Sequence, residues 1–255
     1  MMYIDLNCDM GESFGAYKLG KDDEVIRLIS SANIACGFHA GDPNVMDKTV
    51  KMAKENGVGI GVHMGYPDLL GFGRRDIIIK KEDLVNYIIY QMGALQAFCI
   101  RHGVEIQHVK SHGSMGNMSY VNETVADAVT DAILQVMPDT MLFVIENTVV
   151  HKIAEGKGIK VVKEVFADRA YNEDGTLVSR SVDGAVIKNP NDAADQVQNM
   201  ALNGKVKTIN GKTIAMTAES ICVHGDTDDA IAIVRKVKER LEAANVNIQP
   251  VGTWL

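Results

Sequence analysis

The opening residues set a pattern that later segments repeat. Tyr3, Asp5, Asn7 and Asp9 fall on one side of an extended chain, and Ile4, Leu6, Cys8 and Met10 on the other. Successive side chains of a strand point to opposite faces, so this period of two predicts a strand. Its polar side carries charge and runs into Gly11-Glu12-Ser13-Phe14-Gly15, which suggests a side facing a site rather than bulk water. Taken alone, the stretch also fits an edge strand with one wet face.

Further strands are predicted at 33–39, 58–63, 105–110, 141–145, 159–166 and 213–223. In the second, Ile34, Cys36 and Phe38 oppose Asn33, Ala35, Gly37 and His39. In the third, Gly59, Gly61 and His63 share a face, and a face of glycines leaves room for neighbouring side chains or a ligand. In the fourth, Ile106, His108, Lys110 and, just beyond, His112 share one parity. Helices are predicted between the strands. Asp42-Pro43 and Asn189-Pro190 each place a capping side chain before a proline at the first helical position. Gly103 ends a long helix over 81–101.

Alternation of strand and helix about seven times predicts a parallel sheet with helices outside. The expected fold class is α/β, a single closed or nearly closed (β/α) barrel over 1–255; an open doubly wound sheet is the competing architecture. Two turn signals, Glu173-Asp174-Gly175 and Val182-Asp183-Gly184, predict a hairpin or lid insertion around 171–187. Asn210-Gly211 marks another turn.

Composition narrows the class. A chain of 255 residues with 46% apolar content can bury a sizeable core. A net charge of −7 argues against nonspecific nucleic-acid binding, which needs basic clusters. Cys8, Cys36, Cys99 and Cys222 form no C-x-x-C pair, so neither a zinc knuckle nor a thioredoxin motif is present. The start shows no signal-peptide pattern and no apolar run is long enough to span a membrane, so a cytoplasmic location is expected.

In parallel α/β folds the working residues gather at the C-terminal ends of strands. Those ends carry Asn7, Asp9 and Glu12; His39 and Asp42; His63; Lys110 and His112; Glu146 and Asn147; Glu164, Asp168 and Arg169; and His224 and Asp226. Burying so many polar groups without a use would be costly, although a satisfied polar layer filling the barrel mouth is the plain alternative. Asp9, His39 and His63 suit a divalent metal and equally suit acid–base work; no H-E-x-x-H spacing decides between them. His108 is expected deeper in the barrel, His102 and His151 on helix surfaces, and Asp42 and Asp226 as helix caps. Cys8, Cys36 and Cys222 are expected to pack against helices. Arg74 and Arg75 suit a carboxylate or phosphate, or plain surface charge. No phosphate-binding glycine loop occurs, so nucleotide chemistry would need an unusual site or another subunit.

Several long motifs stand in one order: Asp5-Leu6-Asn7-Cys8-Asp9-Met10-Gly11-Glu12; Asn33-Ile34-Ala35-Cys36-Gly37-Phe38-His39-Ala40-Gly41-Asp42-Pro43; Tyr66-Pro67-Asp68 with Gly71-Phe72-Gly73-Arg74-Arg75; Val109-Lys110 with His112-Gly113; Phe166-Ala167-Asp168-Arg169-Ala170-Tyr171; and Ile221-Cys222-Val223-His224-Gly225-Asp226. Over essentially its whole length the chain resembles the LamB/YcsF family, whose bacterial members are the A subunit of the ATP-dependent 5-oxoprolinase. The resemblance implies an irregular seven-stranded TIM-like (β/α) barrel akin to glycoside hydrolase and deacetylase barrels. It implies opening of the 5-oxoproline (pyroglutamate) lactam to glutamate with partner subunits B and C, and ATP, with Mg2+, bound here or on a partner. Asp9 or Glu12 would be the base, and His39, His63, Lys110 and His112 would complete the catalytic set. Asn7, Arg74, Arg75, Asp168, Arg169 and His224 would bind substrate. A homo-oligomer is compatible with this reading. Two other functions are carried beside it: a stand-alone metal-dependent deacetylase or amide hydrolase with the ion at Asp9, His39 and His63, and a non-catalytic substrate-binding subunit. The chain departs from the family's V-K-P-H-G-A-L-Y-N at Ser111 and Gly116, and from its H-P at Met64.

Overall fold

Strand β1 (Met2–Met10) is the seam of the barrel. It pairs in parallel with β2 (Ser31–Ala35), which is followed around the ring by β3 (Gly59–Met64), β4 (Ile106–Ser111), β5 (Met141–Val144) and β6 (Val161–Phe166). An antiparallel hairpin of β7 (Lys205–Lys207) and β8 (Thr213–Ala215) then stands apart from the ring. Strand β9 (Ser220–Val223) pairs with β6 on one side and β1 on the other, closing a parallel seven-stranded barrel. Strand β10 (Val246–Ile248) lies along the first residues of β1. The computed structural model describes residues 2–225 and 229–255. Asp226 lies outside them.

Helices α1 (Asp22–Val25), α2 (Pro43–Asn56), α3 (Lys81–His102), α4 (Gly113–Ser119), α5 (Glu123–Val136), α6 (Val149–Gly156), α7 (Pro190–Asn203) and α8 (Ala230–Ala243) alternate with the strands. The caps are those the sequence predicts. Asp42 Oδ1 accepts from the Asn44 and Val45 N–H groups at 2.8 and 3.0 Å, satisfying donors that a helix start leaves unpaired. Gly57 and Gly103 end α2 and α3 in the left-handed conformation. Among the described residues no helix is long and apolar enough to cross a membrane.

The two parities of each strand part at the barrel wall. Ile4, Leu6, Cys8, Ile34, Val62, Val109, Leu142 and Ile221 face the helices and are buried. Asp5, Asn7, Asp9, Ser31, Asn33, Glu164 and Ser220 bond one another across the interior. The bottom is apolar, with Phe143 and Val162 clustered against Val251 and Trp254. Gly59 and Gly61 yield space as predicted: a Cβ on Gly61 would overlap the His108 imidazole.

Several expected elements are redrawn. The strand expected at 33–39 is β2, ending at Ala35, because Gly37 turns the chain at φ 88°; His39 therefore sits on a loop. The helix between β1 and β2 is only the short α1. The strand expected over 213–223 is two strands, β8 in the hairpin turned at Asn210-Gly211 and β9 in the barrel. Helix α4 and strand β10 follow no sequence signal noted above. The 171–187 segment holds isolated antiparallel bridges, Tyr171 to Leu177 and Arg169 to Val186, in place of regular paired strands.

Candidate active site

The parallel register brings strand ends together. Lys110, on β4, crosses the barrel interior and is buried. Its Nζ donates to Asp9 Oδ1 at 3.1 Å and Cys222 Sγ at 2.9 Å, and lies 2.9 Å from Glu164 Oε1. Burial alone would discharge this ammonium, but Asp9, Cys222 and Glu164 outweigh it and hold its pKa well above the usual lysine value. Burial also opposes ionised Asp9, yet His63 and Lys110 beside it keep its pKa well below the carboxylate range. Glu164 is pushed up by burial despite Lys110. One ammonium thus faces two carboxylates, Asp9 anionic and Glu164 the readier to take a proton.

Beside this pair stands a histidine group. His39 lies flat on His112 with ring centroids 3.8 Å apart, and both meet His63 edge-on. Burial holds His39 and His112 well below the ordinary imidazole pKa, so both are neutral. Glu12 closes the group, with Oε1 3.3 Å from His39 Nε2 and 3.6 Å from His112 Nδ1. Glu12, His39, His63 and His112 each offer a ligand atom within 4.8 Å of the others. Of the expected metal set, His39 and His63 fall in this group, and Asp9 falls in a second with Cys222 and His224.

Above both groups opens a cavity of about 440 Å³ lined by Asp9, His63, Lys110, His112 and His224, with Arg74, Arg169 and Arg180 among its other walls. Asp168, behind His224, takes the His224 Nδ1–H on both oxygens at 2.9 Å. Burial would raise Asp168, but His224 prevails and lowers it. Arg169 donates to the Val178 and Ala185 carbonyls of the 171–187 segment; burial and the nearby Arg180 bring its pKa down to about 10.

A model of the LamB/YcsF family matches residues 4–255. The chain belongs to that family. The A subunit of 5-oxoprolinase from Pyrococcus abyssi is 51% identical over 254 residues, covering 100% of both chains. That of Campylobacter jejuni is 50% identical over 248 residues, 97% of each. The crystal structure of the lactam utilization protein from Thermus thermophilus is 40% identical, with a TM-score of 0.92 over 97% of this chain and 99% of its own. A family 4 carbohydrate esterase from Streptomyces lividans, 10% identical with a TM-score of 0.52 over 97% of this chain and 91% of its own, shares the fold alone.

The LamB/YcsF positions divide by depth. Asp9, His63, Lys110, His112, Arg74, Arg169 and His224 line the cavity. Glu12 and His39 stand against His112, off the lining, and Asp168 stands behind His224. Asn7 lies deeper, donating to Glu164 and Ser220 and accepting from Asn33. Arg75 turns away: its guanidinium is fixed on Asp68, which also accepts the Gly71 N–H at 2.9 Å. That carboxylate ties off the 68–75 loop and leaves Arg74 over the cavity without Arg75 beside it, so the paired clamp does not form. Glu146 holds Thr217 at 2.7 Å and takes no part. His108 is the expected core histidine, stacked on Phe143 and 2.6 Å from Asn33. His151 is buried, not on the surface, and His102 is fixed on Asp47 at 2.8 Å.

Cys222 is the clearest correction. It pairs in register with Asn7, so it faces the interior rather than the helices. The parity it shares with His224 is the signal in the sequence that points inward. Glu164 is visible in the sequence as a strand end, but nothing local to it marks the ion pair with Lys110. Ser111 and Gly116, two departures from the family motif, both line the cavity. A Cβ on Gly116 would stand 2.9 Å from the Ser111 carbonyl oxygen, so the wall closes tightly there. Met64, the third departure, is buried, and its carbonyl accepts the His112 N–H at 2.7 Å.

Proposed function

We propose that this chain works as the A subunit of an ATP-driven 5-oxoprolinase, opening the lactam of 5-oxoproline to glutamate together with subunits B and C. The observation that carries the reading is a cavity with a fixed ammonium, Lys110, beside an anionic carboxylate, Asp9, under a rim of arginines. Full-length relatives named for that activity support it.

The substrate is a small cyclic amide bearing a carboxylate, and an arginine at the rim suits that carboxylate. Hydrolysis adds water at the ring carbonyl carbon, places negative charge on its oxygen and delivers a proton to the departing nitrogen. Lys110 is charged and already in place, so it stabilises that oxygen without reorganising. Asp9 is ionised at neutral pH and accepts a proton from water; Glu12, the other candidate base, stands off the cavity lining. Asp168 fixes the His224 proton on Nδ1, leaving Nε2 to exchange a proton with the nitrogen. ATP, as its Mg2+ complex, would supply the drive: its terminal phosphoryl group passes to the lactam oxygen as ADP leaves, the first water opens the C–N bond to give an acyl phosphate, and a second water releases glutamate and inorganic phosphate. The chain carries no phosphate-binding glycine loop, so ATP would need a different kind of site here or one on a partner subunit.

The test is glutamate formation from 5-oxoproline and ATP with the partner subunits present. Turnover is expected only when this chain is added, and Asp9→Asn is expected to lower kcat about 100-fold or more. Turnover no higher than that of the partners alone would refute the reading.

A further inference from the structure

The histidine group brings two ring nitrogens and a carboxylate oxygen face to face. His63 Nδ1 is 3.2 Å from the Lys110 carbonyl oxygen, and His112 Nε2 is 2.8 Å from the Phe72 carbonyl oxygen. A carbonyl only accepts, so each of these nitrogens carries the hydrogen. That leaves His63 Nε2 and His112 Nδ1 as the ring nitrogens turned away from any backbone carbonyl, each able to offer a lone pair. These two atoms face each other at 2.9 Å. Around them stand carboxylate oxygens: Glu12 Oε1 is 3.6 Å from His112 Nδ1, and Asp9 Oδ2 is 3.3 Å from His63 Nε2. Asp9 already meets the Lys110 ammonium, while His63 Nε2, His112 Nδ1 and Glu12 Oε1 converge in a water-poor interior on a position that suits a cation.

We propose that His63 Nε2, His112 Nδ1 and Glu12 Oε1 bind a divalent transition-metal ion, with a fourth position open toward the cavity. The donor set is two imidazoles and a carboxylate, which zinc, cobalt and manganese accept. Metal–nitrogen bonds of about 2.0–2.1 Å place tetrahedral ligand atoms roughly 3.4 Å apart. The observed 2.9 and 3.6 Å bracket that spacing. The outer N–H of each imidazole already rests on a backbone carbonyl, which is how ligating histidines are oriented. His39 is a positioning residue: its Nε2 lies 3.3 Å from Glu12 Oε1 and turns that carboxylate inward. Its flat stack on His112 keeps it from sharing the same ion without tilting. His63 and His112 line the cavity while Glu12 does not, so the open position faces substrate.

The inference does not depend on the 5-oxoprolinase reading, because its test needs no turnover. The purified full-length chain is stripped with a chelator and titrated with Co2+ while visible absorption is followed. The expected result is saturation at a single ion per chain with the intense bands of a low-coordinate cobalt site, and competition by Zn2+. His112→Ala and Glu12→Gln are expected to lose roughly 100-fold or more in affinity, and His39→Gln about 10-fold. His151→Ala, on α6, is expected to bind as the parent does. The unsubstituted chain decides the outcome, so a variant that fails to fold leaves the test intact. No stoichiometric cobalt uptake, together with two ring N–H signals on His63 by nitrogen NMR, overturns the proposal in favour of a trapped proton.

Discussion

Replacing Lys110 by Met isolates the charge balance at the centre of the barrel. Methionine keeps the length and most of the volume of the lysine stem, so packing is largely preserved. What is lost is the ammonium within 2.9–3.1 Å of Asp9 and Glu164. Both carboxylates are almost wholly buried, at 5% and 1% exposed. Removing one partner of a buried ion pair strands the other charge and costs about 3–5 kcal/mol. Part of that cost is avoidable, because Glu164 already has a raised pKa and takes up a proton. The deficit of Lys110→Met should therefore be largest at neutral pH and shrink as the medium is acidified. Adding Glu164→Gln to Lys110→Met should recover about 1–2 kcal/mol, because the second change removes a charge left without its partner. Reversible urea unfolding, followed by circular dichroism at several pH values, measures all of this. A single-variant loss below about 1 kcal/mol, or a second substitution that is simply additive, would refute the account.

Two further outcomes follow from the barrel interior. Burial raises Asp5 to about 6, opposed by hydroxyl donors on Ser220, Ser31 and Ser30. The folded chain therefore holds a proton that the unfolded chain releases near 3.8. Stability should fall as pH rises from 3.8 toward about 6, by about 3 kcal/mol from this group. Urea midpoints across that window should show a flatter slope for Asp5→Asn, and an unchanged slope would count against the assignment. Gly61→Ala should cost about 1–3 kcal/mol, since its Cβ would overlap the His108 imidazole, a ring pinned by Asn33 and Phe143. Gly93→Ala on α3, where a Cβ meets nothing within 4 Å, should be neutral or stabilising; thermal melts compare the two.

Much of the fold is legible because period two and period 3.6 are local signals. The alternation in β1, the proline-led caps of α2 and α7, and the polar row on β4 each need only neighbouring residues. Parity, however, runs along one strand and says nothing about register with the next. Cys222 shares its parity with His224, but which face of that strand is the inner one is settled only by its pairing with Asn7. The 213–223 segment looks like one strand because its two halves are separately β-leaning, while their different partners are set at a distance. Arg75 looks equivalent to Arg74 because sequence adjacency does not show that Asp68 reaches back for one of them. The site's membership is partly visible for the same reason. Strand-end residues can be collected, but that His39 stacks on His112, and that Asn7 belongs to a structural layer below, depends on depth, which no local pattern encodes.

The seam at β1 also bears on how the molecule assembles. Asp5 hydrogen-bonds to Ser220, 215 positions away, and the ring cannot close until that contact forms. During synthesis the first strand must wait, with one edge unpaired, until nearly the whole polypeptide has left the ribosome. Such distant pairing slows folding and exposes a strand edge to stray partners meanwhile. An aspartate, an asparagine and a second aspartate along the inward row of that waiting strand make it a poor template for aggregation, so the groups that later furnish the interior also guard the nascent chain.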